Sequence, residues 1–327
     1  MRFPIRVASF FLSVLIVVLL TNLEPITAYV DAVKEDQAVA VFQSTSQIDP
    51  LYDEVKQKAS EKERKPIDAR VDSVWKLIPG LDGREVNIAK TVAKTKMKQT
   101  KEIQWVYEEI SPEVNLEDIK GQPIYRGNAD KKAVSIMVNV AWGTQYLPEM
   151  IKIFDEENIK VTFFLDGSWL KKHPQEAKML IENGHEIGNH AYSHPMMSRL
   201  SQQEMQNQIQ KTEDLIYDTL GVHSKWFAPP AGDFNQHVVK QAEQSNMKLV
   251  LWTLDTVDWK ATITPEMMIT KIDSKVEAGS LILTHPTDRT VQALPHLIQK
   301  IKTKNLKIIP VKELLSSKSI KSIEGNP

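Results

Sequence analysis

The sequence predicts an α/β fold in which a parallel sheet is covered by helices and can close into a barrel. Two observations carry this. From about residue 133 onward, seven short apolar segments alternate with helical segments. Histidines and aspartates also recur just after those apolar segments. Strict alternation of strand and helix implies parallel strands joined by helical crossovers. In such folds the functional site lies at the carboxyl ends of the strands.

In chain order, the strands are expected at 134–140, 161–165, 185–188, 226–228, 249–254, 281–283 and 307–309. Helices are expected between them at 147–157, 175–182, 202–219, 236–244, 265–276 and 292–302. Two of the helix starts are well signed. Ser201 stands three residues before Glu204, a capping-box arrangement. Thr264-Pro265 offers an N-cap followed by proline at the first helical position. No internal repeat or low-complexity tract is evident.

The region before residue 133 is organised differently. Arg2 and Arg6 precede an apolar stretch at 7–20, and Ile26-Thr27-Ala28 offers a small-residue cleavage point. Residues 1–28 are therefore expected to be an export signal, with an uncleaved membrane anchor as the alternative. The stretch is short for a full span, which needs roughly 20 apolar residues. Residues 29–66 are polar, with a charged run at 56–65, and are expected to be a linker that is partly helical at most. Residues 67–126 are expected to form a small α+β domain. Within it, Val71, Val74, Trp75, Leu77 and Ile78 have helical spacing, ended by Pro79-Gly80, and strands are expected at 86–88 and 103–107.

Composition narrows the function. Of the 327 residues, 42% are hydrophobic and 25% are charged, which is ordinary globular composition. The formal net charge of -1 gives no electrostatic footprint for nucleic acid. With no cysteine, disulfides, thiolate metal sites and cysteine nucleophiles are excluded.

The polar residues then gather on one rim. Ala141-Trp142-Gly143 follows the first strand of the alternating region, and Asp166-Gly167 follows the second. Asn189-His190, with His194, follows the third, and the fourth ends at Ala228-Pro229-Pro230-Ala231-Gly232-Asp233. The fifth is followed by Asp255-Thr256-Val257-Asp258-Trp259, and the sixth by Thr284-His285-Pro286. Two imidazoles four residues apart, His190 and His194, can face one divalent metal from one side.

On these residues the segment from Ala133 to Ser316 resembles the polysaccharide deacetylase family, the NodB-homology carbohydrate esterases. His190-Ala191-Tyr192-Ser193-His194 matches the family's His-x-x-x-His, and Ala228-Pro229-Pro230-Ala231-Gly232 stands where it has Arg-x-Pro-x-Gly. Asp258-Trp259 matches its Asp-Trp, and Leu283-Thr284-His285 its Leu-x-His. The resemblance implies a distorted (β/α) barrel over 132–316. It also implies metal-dependent removal of acetyl groups from N-acetylated glycan, peptidoglycan above all, by an exported protein of a bacterial envelope.

It further implies roles for individual residues. His190 and His194 would bind a divalent metal, zinc in the family, whose bound water attacks the amide. His285 would be the general acid, held by Asp258. The backbone N–H of Ala231 would face the oxyanion, and Trp259 and Leu283 would line the groove for the acetyl methyl.

The same comparison exposes a break. The family's first motif, Thr-Phe-Asp-Asp-Gly, reads Asn139-Val140-Ala141-Trp142-Gly143 here. Ala141 replaces the catalytic base and Trp142 the third metal ligand, and Ala228 replaces the arginine that pairs with the base. The losses are coherent, because a buried arginine without its carboxylate is an unpaired charge.

Two outcomes follow. Either Asp166, with Asp233 and Asp255 as lesser candidates, rebuilds a metal site, or the protein holds glycan without catalysis. Trp142 either fills the space of a missing metal or offers a stacking face for a sugar ring, and filling is the expectation. His173, His185, His223, His237 and His296 are expected to be structural or solvated, Trp169, Trp226 and Trp252 to be core residues, and the lysine-rich stretch 90–101 to be solvated surface. No protein partner is identifiable from the sequence.

Overall fold

The structure is a computed structural model that describes residues 49–320. The expected export signal at 1–28 and the first part of the 29–66 segment lie outside the described residues. Among the described residues, no helix is long and apolar enough to cross a membrane. The described chain divides into two compact units, residues 49–65 with 83–110, and residues 66–82 with 111–320.

Helix α1, Pro50–Ala59, opens the smaller unit. Its N-cap Asp49 accepts from the Leu51 amide at 3.1 Å, and it buries Val55 and Ala59. Next in sequence, within the larger unit, β1 (Arg70–Asp72) pairs antiparallel with β2 (Lys76–Ile78). This hairpin replaces the helix expected at 71–78. Oδ1 of Asp72 accepts from the amides of Val74 and Trp75, both at 2.8 Å. That Asx turn closes the chain back on itself. The residues at helical spacing then separate, with Leu77 buried and Val71 and Val74 exposed.

The smaller unit resumes with β3 (Gly83–Val86), α2 (Ile88–Lys98) and β4 (Tyr107–Ile110), with β3 and β4 antiparallel. Strand β3 ends short of its expected place because Asn87 caps α2, accepting from the Lys90 amide at 2.8 Å, and β4 begins at the last residue expected of its strand. The lysine-rich stretch is the body of that helix. It buries Thr91, Val92, Ala93 and Thr95 and packs on Val55, Ala59 and Val86.

In the larger unit the alternation holds. The elements are β5 (Ala133–Val140), α3 (Leu147–Glu156), β6 (Thr162–Leu165), α4 (Gly167–Lys172), α5 (Pro174–Glu182), β7 (Glu186–Asn189) and α6 (Gln202–Leu220). They continue with β8 (Trp226–Phe227), α7 (Gln236–Gln244), β9 (Lys248–Leu249), β10 (Leu254–Asp255), α8 (Pro265–Lys275), β11 (Leu281–Thr284), α9 (Asp288–Thr303), β12 (Lys307–Ile308) and α10 (Val311–Leu315). The Ser201–Glu204 capping box forms, and Thr264 caps α8. Helices α4 and α10 were not foreseen.

The strand order is β10-β11-β5-β6-β7-β8-β9, all parallel, with β12 also beside β5. The sheet curls into a partly closed barrel, as the sequence predicts. The strand expected at 249–254 is split for a geometric reason, since its two ends serve opposite edges of the sheet. Just after β9, Ile124 pairs with Val250, donating to the Leu249 carbonyl at 2.9 Å and accepting from the Leu251 amide at 2.7 Å.

Every residue of β5 is buried. The core between sheet and helices includes Phe154, Phe163, Leu165, Ile187, Ile282 and Ile298. This packing fixes the strand ends from which the rim loops spring.

Candidate functional site

The loops after β5, β6, β7, β8, β10 and β11 bear the residues singled out in the sequence. After β7, Asn189 is wholly buried, donating to the Ile209 carbonyl at 2.9 Å and accepting from the Ala191 amide at 3.0 Å. This pins the start of the loop that presents both histidines. His190 is buried, and its Nδ1 lies 2.7 Å from the Ala228 carbonyl. Burial, with the charge of neighbouring His194, pushes its pKa down to about 3, so the ring is neutral. A carbonyl can only accept, so Nδ1 carries the proton and Nε2 keeps a free lone pair.

Burial also lowers the pKa of His194, partly offset by the charge of Asp166. The two rings sit 5.2 Å apart between centroids. His285 lies close enough to disfavour the charged form of both.

His285 follows β11 and is held firmly. Its Nδ1 donates to Oδ1 of Asp258 at 2.7 Å. Oδ2 of Asp258 accepts from the hydroxyls of Thr284 and Thr290 and from the His285 amide, each at 2.6 Å. Arg289 donates to the Asp258 carbonyl at 2.6 Å. Burial alone would raise the pKa of Asp258. The His285 and threonine hydrogen bonds outweigh it and hold the carboxyl below its usual range. Sequence reasoning found Asp258 and His285 but missed Thr284, Thr290 and Arg289. The one available signal was Thr287, which caps α9 and places Thr290 in its first turn.

The rim loops also carry strained backbone. Ala191, His194, Ala231 and Val257 all have positive φ, between 54° and 60°. Such angles are uncommon for non-glycine residues, and for β-branched Val257 they are a genuine outlier. The loops hold a defined shape even where side chains have been lost.

Trp142 does not fill a buried space as expected. It is 45% exposed, and its ring lies over His285 with centroids 5.7 Å apart and planes 9° from parallel. Trp259 is 52% exposed, Leu283 is buried on β11, and Ala231 is exposed in the short turn Pro230–Gly232. Ala228 is buried.

Asp166 is occupied elsewhere. Its Oδ1 accepts from the Trp169 amide at 2.9 Å and the Ser168 hydroxyl at 2.5 Å, capping α4. Its Oδ2 is buried without a partner, and burial raises its pKa. Asp233 accepts from the amide and hydroxyl of Ser198, and Asp255 from the Val257 amide, so both shape loops. Among the described residues, no three of His, Cys, Asp and Glu group so as to hold a metal ion. Asp166 thus spends one oxygen on the α4 cap and keeps the other buried, near enough to His194 to favour the charged form of that ring. The donor set does not fit a catalytic divalent metal, which needs three protein ligands and an open position.

A separate cavity of about 570 Å³ opens at the amino ends of β8 and β9, lined by Lys225, Trp226, Lys248 and Lys312 among others. It shares none of the rim residues.

Comparison with known proteins places these features. A family described as polysaccharide deacetylase matches residues 126–250. The chain is 43% identical over 288 residues to the uncharacterized protein YlxY of Bacillus subtilis, covering 88% of this chain and 89% of that one. It is 30% identical over 198 residues to a peptidoglycan-N-acetylglucosamine deacetylase of Bacillus cereus, covering 59% of this chain and 72% of the other. Among solved structures, BA3943 of Bacillus anthracis, described as a CE4 family pseudoenzyme, superposes with a TM-score of 0.78 at 39% identity, over 84% of this chain and 97% of that one. A BA3943 mutant described as having restored enzymatic activity matches with the same TM-score, 0.78, at 38% identity, over 83% of this chain and all of that one.

Proposed function

The chain belongs to the polysaccharide deacetylase family, and from that premise we propose that it is a non-catalytic glycan-binding protein of the bacterial envelope. Its ligand is N-acetylated cell-wall glycan, held in the groove at the carboxyl ends of the strands. The observation that carries this reading is the Ala141-Trp142 pair, which stands where catalysis needs two carboxylates.

The chemistry supports it. Ala141 cannot take a proton from water, and Trp142 cannot ligate a metal. The two imidazoles and the His285–Asp258 pair remain, but amide hydrolysis needs a base and a polarising centre as well. What they can do is bind. Nε2 of His190 offers an acceptor, His285 offers a ring edge fixed by Asp258, and Ala231 offers a backbone donor at an exposed turn. These groups suit the hydroxyls and amide of an N-acetylated sugar. The relation to BA3943 and to the peptidoglycan deacetylase of Bacillus cereus supports both the glycan class and the envelope location. Export through residues 1–28, by a cleaved signal or an anchor, belongs to the same proposal.

The test is to purify the protein, supply zinc, and offer an N-acetylglucosamine oligomer. Saturable binding with no acetate released supports the proposal. Stoichiometric zinc with catalytic release of acetate overturns it.

A further inference from the structure

We infer that Trp142 is the stacking platform of this groove, with its outward indole face taking one pyranose ring of an N-acetylated glycan. This deepens the glycan-binding reading and rests on it.

The inner face of the indole lies on His285, nearly parallel at 9°. His285 is itself immobilised, since its Nδ1 and its amide both donate to the wholly buried carboxylate of Asp258. The loop that carries Trp142 is clamped from the other side. Gly143 has φ +78°, and a Cβ there would stand 2.0 Å from the Pro286 carbonyl oxygen. Only glycine lets the 141–143 loop lie this close to the residue after His285. The indole is therefore backed by an imidazole and held from below.

A tryptophan that merely plugged the vacated metal position would be buried. This one keeps 45% of its surface in solvent. A rigid, exposed aromatic face loses little conformational freedom on binding, which makes it an efficient anchor. The apolar C–H face of a pyranose is its natural complement. The exposed indole of Trp259 directly follows Asp258, the residue that holds His285.

The test is calorimetric titration of the full chain with N,N′,N″-triacetylchitotriose, using wild type, Trp142→Ala and Trp142→Phe. The inference predicts saturable binding by wild type, weakening of at least tenfold in Trp142→Ala, and a smaller loss in Trp142→Phe. Thermal unfolding within a few degrees of wild type shows that both variants fold. Binding that is equal in wild type and Trp142→Ala overturns the platform and leaves the glycan-binding reading standing. No binding by wild type, or by wild type and both variants alike at millimolar ligand, overturns both.

Discussion

The buried carboxylate of Asp258 receives Nδ1 of His285 at 2.7 Å through one oxygen, while its other oxygen takes three further donors. With both oxygens of the carboxylate engaged, the pair fixes the ring on which Trp142 lies.

That wiring predicts a cost for losing the charge. Asp258→Asn turns one acceptor into an N–H group facing donors, at a position with no solvent. The expected loss is about 2–4 kcal/mol, from leaving buried donors unsatisfied. Urea unfolding at neutral pH measures it. A loss below about 0.5 kcal/mol would mean that the network contributes little.

Acid should destabilise the fold in two separable windows. His185 and His190 are buried, and burial is the first cause pushing their pKa values down to about 4 and about 3. Such an imidazole binds its proton first in the unfolded chain. Its contribution is full above the unfolded value near 6.5 and drains away as pH falls towards the folded value, by on the order of 3 kcal/mol for His185. The depressed carboxyl of Asp258 acts lower, its contribution being lost only below about pH 4. Stability measured from pH 7 to pH 4 should therefore fall. His185→Phe, among Phe154 and Phe163, should flatten that slope. An unchanged slope would show that His185 does not titrate in this way.

Ala228 and Ala141 should be coupled. Ala228→Arg alone puts an unpaired guanidinium into a buried position and should cost about 3–5 kcal/mol. Adding Ala141→Asp should recover much of that loss if the two side chains meet across the groove. A double-mutant cycle by denaturant unfolding measures the coupling. With Trp142→Asp added, zinc should bind stoichiometrically and acetate release should appear. Purely additive destabilisation would show that the two positions do not face each other.

Gly143→Ala should disturb the platform while leaving Trp142 in the chain. The new Cβ would stand 2.0 Å from the Pro286 carbonyl oxygen, at a φ that side chains rarely adopt. Movement of the loop should shift the tryptophan fluorescence spectrum and weaken glycan binding at least tenfold. Wild-type affinity in this variant would argue against the clamp.

Asp166→Ala should cost only about 1 kcal/mol, the loss of an N-cap partly offset by removing a buried, unpaired oxygen. Zinc affinity should not change. A clear drop in zinc affinity would restore Asp166 as a ligand.

Much of the fold was legible because long amphipathic helices and apolar strands keep their periods. The segments at 202–220 and 236–244 are examples. The hairpin at 70–78 was not legible, because the turn chemistry of Asp72 outweighed a helical spacing in which Val71 and Val74 end up exposed. The metal-type histidines and the Asp258–His285 pair could be found from spacing and strand-end placement. The Thr287 cap signals where Thr290 sits but not its bond to Asp258, and Thr284 and Arg289 carry no signal, since each supports Asp258 only through tertiary contact. The N-cap role of Asp166 was hidden for the same reason. A strand-end aspartate reads alike whether it faces a metal or caps the next helix, and only the folded chain shows its oxygen 2.9 Å from the Trp169 amide.

The most direct test of the central claim is one sample assayed for two outputs. Purified full-length protein in excess zinc is mixed with an N-acetylated peptidoglycan oligomer, and bound ligand and free acetate are followed together. The account predicts saturable binding with acetate at the level of a protein-free control. Acetate released over many turnovers, or no binding at millimolar oligomer, would contradict it.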